Sequence, residues 1–148
     1  GMPHHHERRS LPYSADQMYD LVVDVRRYGE FLPWVAAVRV RSDSETETMA
    51  DLIVGFKSLR ESFSSRVLKT PKSKVAVDYL DGPLRHLHNQ WLFEETVDGC
   101  IVDFTVDFSF HNRMFEALAG QFFDHALRKM TDAFIERAGV LYGDGSKS

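Results

Sequence analysis

The sequence predicts an α+β fold, with an antiparallel sheet through the middle of the chain and one long helix after it. Three observations carry that expectation. From Val38 to Phe110 the residues fall into short runs of alternating apolar and polar character, separated by turn residues. From Arg113 to Tyr142 the apolar spacing turns helical, and only Gly120 weakens it. No strand–helix–strand alternation of the kind that builds a parallel sheet is present, and there are no internal repeats.

Each element has a local reason. A first strand is expected over 4–11, ended by Pro12. Ser14, followed three residues on by Gln17, is a capping box. The helix it starts buries Met18, Leu21, Val22 and Val25 and stops before Tyr28 and Gly29. Glu30 to Trp34 form a short apolar turn or small helix that Pro33 stops. Val38 and Val40 alternate with Arg39 and Arg41, and 42–48 reads as a polar turn. Ala50, Leu52, Val54 and Phe56 share a strand face, and Lys57 and Ser58 close a hairpin. Leu59, Phe63 and Val67 share the next face, and Val75, Val77 and Tyr79 make another strand, closed by Asp81-Gly82-Pro83.

The two strands that follow are the most informative. Leu87, Asn89, Trp91 and Phe93 share one face, with His86, His88 and Gln90 opposite. After the Asp98-Gly99 turn, Val102, Phe104, Val106, Phe108 and Phe110 face inward. A slip of one residue would bury Asp103 and Asp107, so the register is fixed. Asn112 is the expected cap of the last helix, whose stripe carries Phe115, Leu118, Phe122, Phe123, Leu127, Met130, Phe134 and Leu141. Phe122 and Phe123 lie ~100° apart around the axis, so the stripe is wide and calls for a curved sheet wrapped around it.

Composition narrows the function classes. The chain has 148 residues, 43% hydrophobic, with eleven Phe, which fits one domain over 2–143 built around rings. Gly1 reads as an expression scar and 144–148 as a flexible tail. Net charge is −4, and Arg26, Arg27, Arg39 and Arg41 make only a modest cluster, so no direct nucleic-acid partner is expected. Cys100 is the only cysteine, which excludes an intrachain disulfide and fits a reducing, cytoplasmic setting. No apolar run approaches the ~20 residues of a membrane span. The His4-His5-His6 triplet and the His86/His88 pair are weak metal signals, and no metal is expected. No nucleophile–base pair or glycine-rich phosphate loop can be read, so no catalytic residue is assigned.

Particular stretches carry a resemblance. They are Leu11-Pro12-Tyr13-Ser14, the run from Asp24 through Tyr28 to Phe31-Leu32-Pro33-Trp34, and Ala50-Asp51-Leu52-Ile53-Val54-Gly55-Phe56-Lys57. Glu61-Ser62-Phe63-Ser64-Ser65-Arg66-Val67, Asp81-Gly82-Pro83-Leu84, the Leu87-x-Asn89-x-Trp91-x-Phe93 strand and Ala133-Phe134-Ile135-Glu136-Arg137-Ala138 complete the set. Together they resemble the Coq10/START-like coenzyme Q-binding family of the polyketide cyclase (SRPBCC) superfamily, over nearly the whole chain. Gly29 departs from it, since many relatives carry Pro there; the change loosens a turn without removing a pocket. The resemblance implies a helix-grip (Bet v 1-like) fold, in which about seven antiparallel strands wrap the C-terminal helix. It also implies an apolar tunnel that binds ubiquinone, or a similar isoprenoid lipid, in support of respiration or quinone biosynthesis. No further cofactor is implied. Bacterial members of the group include a toxin that blocks ribosomal subunit joining, which makes the ribosome the alternative partner. A cyclase or dehydratase-like enzyme is the second alternative.

On this basis the expected ligand-binding residues are Phe31, Pro33, Trp34, Phe56, Phe63, Asn89, Trp91, Phe93, Phe104, Phe108, Phe115, Phe122 and Phe123. Asn89 and Glu61 are the polar candidates, by their parity with apolar strand neighbours. Each has a plainer role open to it, Asn89 bonding a neighbouring backbone and Glu61 sitting wet at a strand edge. Phe31 and Trp34, with Arg26 and Arg27, are candidates for peripheral membrane contact, and the alternative is a structural plug.

Overall fold

The computed structural model describes residues 4–56 and 59–143, with every side chain in them except those at 56, 59, 115 and 118–121. The leading Gly1, the tail at 144–148 and the expected Lys57-Ser58 turn therefore lie outside the described residues. Strand β1 (His4–Leu11) is followed by helix α1 (Ala15–Val23) and a 3₁₀ helix (Val25–Glu30). A meander follows: β2 (Val35–Asp43), β3 (Glu47–Phe56), β4 (Leu59–Thr70), β5 (Lys74–Asp81), β6 (His86–Glu95) and β7 (Cys100–Ser109). Helix α2 (Arg113–Tyr142) ends the fold. All strand pairings are antiparallel, in the order β1-β7-β6-β5-β4-β3-β2. This is the expected helix-grip arrangement of seven strands and a C-terminal helix.

Local chemistry sets the boundaries. Ser14 accepts from the Gln17 amide at 3.0 Å and the Gln17 side chain accepts from the Ser14 amide at 2.9 Å, closing the capping box. Asp24 leaves helical geometry, so Val25 is buried from the 3₁₀ helix and not from α1. The polar turn expected over 42–48 is shorter than its composition suggests. Thr48 Oγ1 donates to Asp43 Oδ1 at 2.7 Å, so these polar side chains satisfy one another and the ladder continues between them. Just before β7, Gly99 passes so close to β1 that a Cβ there would run into the Leu11 carbonyl.

Helix α2 runs through Gly120 without a break, and Asn112 Oδ1 accepts from the Met114 amide at 2.8 Å. Phe123, Leu127, Met130, Phe134, Ala138 and Tyr142 face the core, while Phe122 is 61% and Leu141 48% exposed. A second tie holds the helix to the sheet edge. His5 and Glu7 of β1 are buried, His5 Nε2 meets Glu7 Oε2 at 2.8 Å, and His5 Nδ1 meets the Asp124 carboxylate of α2. Thr131 Oγ1 of α2 donates to Glu7 Oε2 at 2.7 Å, and Arg9 bridges Glu7 and Asp132.

Candidate functional site

The concave side of the sheet does not close fully on α2. Between them lies a cavity of about 440 Å3. Val22, Val25 and Tyr28 line one end, and Leu32, Pro33, Trp34 and Val35 lie beside them. The sheet contributes inward side chains from β2 to β7, and α2 contributes Phe122, Phe123, Ala126, Leu127, Met130 and Phe134. Phe122 lines the cavity while being largely exposed, which puts the mouth at that residue. Size and lining are those of a site for an apolar small molecule.

Strand register places the polar members. Val67, Val77, Asn89 and Val106 stand opposite one another across β4, β5, β6 and β7. All four line the cavity, so Asn89 is an amide set between two valines. Its Oδ1 is buried and has no hydrogen-bond partner. The wall also carries the Ser65 hydroxyl, and its two tyrosines behave differently from Asn89. The Tyr79 hydroxyl donates to the Leu84 carbonyl at 2.9 Å and accepts from the Leu84 amide at 2.8 Å. The Tyr28 hydroxyl donates to the Val22 carbonyl. Burial pushes both phenols above their ordinary value, so both stay neutral. Among the described lining residues there is no carboxylate, imidazole, thiol or cationic side chain.

Of the residues singled out by sequence, Pro33, Trp34, Phe63, Asn89, Trp91, Phe104, Phe122 and Phe123 line the cavity. Phe56 and Phe115 fall on side chains outside the described set. Three rings fill the core instead of the cavity wall. Phe93 packs edge-on to Tyr19 under α1, Phe108 stacks on Phe123 at 4.5 Å, and Phe31 meets Phe134 and Tyr28. The Arg137 guanidinium of α2 covers the Phe31 ring at 5.2 Å, so one face of Phe31 packs against the helix. Glu61 is exposed and outside the lining, although Val54, its partner in the ladder, lines the cavity. Arg26 and Arg27 are exposed, and Arg27 is paired with Asp24 and Glu30 at 3.2 and 3.3 Å.

Val22, Val25 and Tyr28 of the first helices also line the cavity. The spacing of the two valines marks them as buried, and nothing in it tells a filled core from a cavity wall. His5, expected only as a weak metal signal, is buried together with Glu7, with which it shares a face of β1.

Comparison with known proteins gives a consistent result. The sequence profile of the family described as "Polyketide cyclase / dehydrase and lipid transport" matches residues 11–135. A "Ribosome association toxin RatA" of Pseudomonas aeruginosa is 37% identical over 141 residues, covering 93% of this chain and 98% of the relative. A "Coenzyme Q-binding protein COQ10 homolog B, mitochondrial" of Xenopus laevis is 37% identical over 142 residues, covering 93% of this chain but 58% of that protein. The solution structure of an 18 kDa protein of Caulobacter crescentus superposes with a TM-score of 0.77 at 34% identity, over 96% of this chain and 99% of that one. With a family profile covering most of its length and full-length relatives above 30% identity, this chain belongs to the polyketide cyclase / dehydrase and lipid transport family.

Proposed function

We propose that the protein holds an isoprenoid quinone of the ubiquinone type, with the ring in the cavity and the tail leaving past Phe122. The observation that carries this reading is the cavity itself, about 440 Å3 with an almost wholly apolar wall and a buried amide oxygen, Oδ1 of Asn89, without a partner. Apolar rings and valines reward burial of a ring and isoprene units, and a single amide orients the head group. A wall without carboxylate, imidazole or thiol among its described residues favours holding a ligand over turning one over. The coenzyme Q-binding relative supports the choice of ligand. Such a ligand is delivered from a bilayer, so brief contact between the mouth and the inner face of a membrane belongs to the same reading. Among the described residues, no helix is long and apolar enough to cross a membrane. The test is native mass spectrometry of the chain purified from a quinone-producing host. A quinone mass should accompany the protein. Ligand-free protein that also fails to take up a decyl-tailed benzoquinone overturns the reading.

A second reading is favoured by a separate observation: the ribosome association toxin is matched over 98% of its length. On that reading the protein acts on ribosomal subunits. Sedimentation of subunits with and without the protein separates the two, since a pure lipid carrier leaves the proportion of joined ribosomes unchanged.

A further inference from the structure

The orphan atom, buried on a residue of the cavity wall, is a hydrogen-bond acceptor. We propose that Asn89 Oδ1 selects a ligand that brings an O–H group, so that the site prefers the hydroquinone to the quinone. The inference rests on the quinone-binding reading above and deepens it.

The geometry leaves Asn89 Oδ1 no donor within the protein. The residues opposite it in the ladder are Val77 on β5 and Val106 on β7, neither of which has a side-chain donor. On its own strand the same-face neighbours are Leu87, which has no donor, and Trp91, whose indole N–H does not bond Oδ1. The two tyrosine hydroxyls of the wall have already spent their protons on the carbonyls of Val22 and Leu84, and the Ser65 hydroxyl of the wall makes no bond to Oδ1. A buried acceptor left in this state is costly, and a ligand that supplies a proton donor relieves it.

A benzoquinone has only acceptors: its carbonyl oxygens and, in the ubiquinone type, its methoxy oxygens. Placed against Oδ1, a carbonyl sets acceptor against acceptor. The two-electron, two-proton reduced form has nearly the same shape and carries two O–H groups. One of them donates to Oδ1, and the other points along the ring axis away from Asn89. The expected preference is about tenfold, the size of one net hydrogen bond. By linkage, a tenfold preference for the reduced form raises the midpoint potential of the bound couple by about 30 mV. The protein then acts as a store for reduced quinone.

The test is isothermal titration, under argon, of the full chain with a decyl-tailed dimethoxy-benzoquinone, its hydroquinone and the hydroquinone's dimethyl ether. Each is repeated with Asn89→Leu. Replacing an unpartnered amide by an apolar group of similar size is close to neutral for folding, and melting curves check this. The quantity to read is the quinone-to-hydroquinone Kd ratio in the wild type divided by that in Asn89→Leu, which cancels the ligands' own hydration. We expect this double ratio to be about ten, with the dimethyl ether binding no better than the quinone. A ratio near one overturns the inference while leaving the quinone-binding reading intact. So does a preference for the quinone, which would mean the amide turns its Nδ2 to the ligand. If neither quinone nor hydroquinone binds the wild type, both readings fall together.

Discussion

Glu7 on β1 and Thr131 on α2, 124 positions apart in the chain, are joined by a 2.7 Å hydrogen bond between two buried side chains. The bond is one arm of a polar clasp that also includes His5, Arg9, Asp124 and Asp132. It fastens the mouth half of α2 to the edge of the sheet, so the shape of the cavity depends on it.

The clasp makes stability depend on pH in a definite direction. Burial pushes the Glu7 carboxyl up, but hydrogen bonds from His5, Thr131 and Arg9 outweigh it and hold it below its ordinary 4.5. The His5 contact holds Asp124 below its ordinary value against a smaller effect of burial. For carboxyls lowered in the folded state, the stabilisation is complete above the unfolded value and is lost as pH falls through the folded one. Urea melts should therefore be flat from pH ~7 to ~5 and weaken steadily below ~4.5. Thr131→Val should cost about 1–3 kcal/mol at neutral pH by leaving Glu7 short of a donor. Part of the acid dependence should go with it. A wild type whose stability does not change between neutral pH and the acid range would show that the clasp does not form.

Phe134 is the ring on which the first helices, the sheet and α2 converge. It is 2% exposed and packs edge-on against Tyr28, Phe31 and Trp91, at 5.4, 5.3 and 5.1 Å. Phe134→Ala should cost about 3–5 kcal/mol and shift the emission of Trp91, which loses a ring neighbour. Denaturant melts followed by tryptophan fluorescence read both effects. A loss below about 1 kcal/mol would mean that the surroundings collapse into the space.

Most of the fold could be read from the sequence because each strand has one wet face. The alternation through Phe104, Val106 and Phe108 fixes inside and outside at once, and Asp103 and Asp107 penalise any slip. The candidate site was harder to read, for a physical reason. Phe93, Phe108 and Trp91 have the same parity and the same chemistry, yet only Trp91 lines the cavity. The distance between the sheet and α2 decides this, and that distance is a tertiary quantity with no local signal. Asn89 could be picked out because an amide among apolar neighbours is costly wherever it is buried. Glu61 shares its parity with Phe63, but parity does not say which residues of a face reach the cavity.

Phe122 separates packing from binding. Helical spacing alone put it in the core, where truncation would be severe. At 61% exposure in the cavity mouth, Phe122→Ala should cost no more than about 1 kcal/mol in stability. The same substitution removes part of the wall over the ligand's tail. It should weaken binding of a decyl-tailed benzoquinone several-fold while leaving a tailless ring nearly unaffected. Titrations with both ligands, beside melting curves, check this. Equal losses for the two ligands would place the tail elsewhere.

Trp34 combines an unusual backbone with a place on the cavity wall. Its φ is 68°, in the left-handed region that a bulky residue adopts only under constraint. Its carbonyl accepts from the Gly55 amide at 2.7 Å, which ties the turn to β3 and holds that conformation. Phe31 beside it is committed to Phe134, so of the two rings only Trp34 is free to meet a ligand in passage. Trp34→Ala and Trp34→Gly both remove the ring, but only glycine relieves the backbone. Trp34→Gly should therefore be more stable than Trp34→Ala by about 1 kcal/mol. Both should slow uptake of a quinone from anionic vesicles more than they weaken binding in detergent. Added salt should slow uptake by the wild type as well, through the exposed Arg26 and Arg27. Stopped-flow transfer from vesicles, paired with melting curves of the two variants, reads the strain and the gate separately. Equal stability of the alanine and glycine variants would remove the strain argument. Unchanged uptake in both would leave Trp34 as wall and not gate.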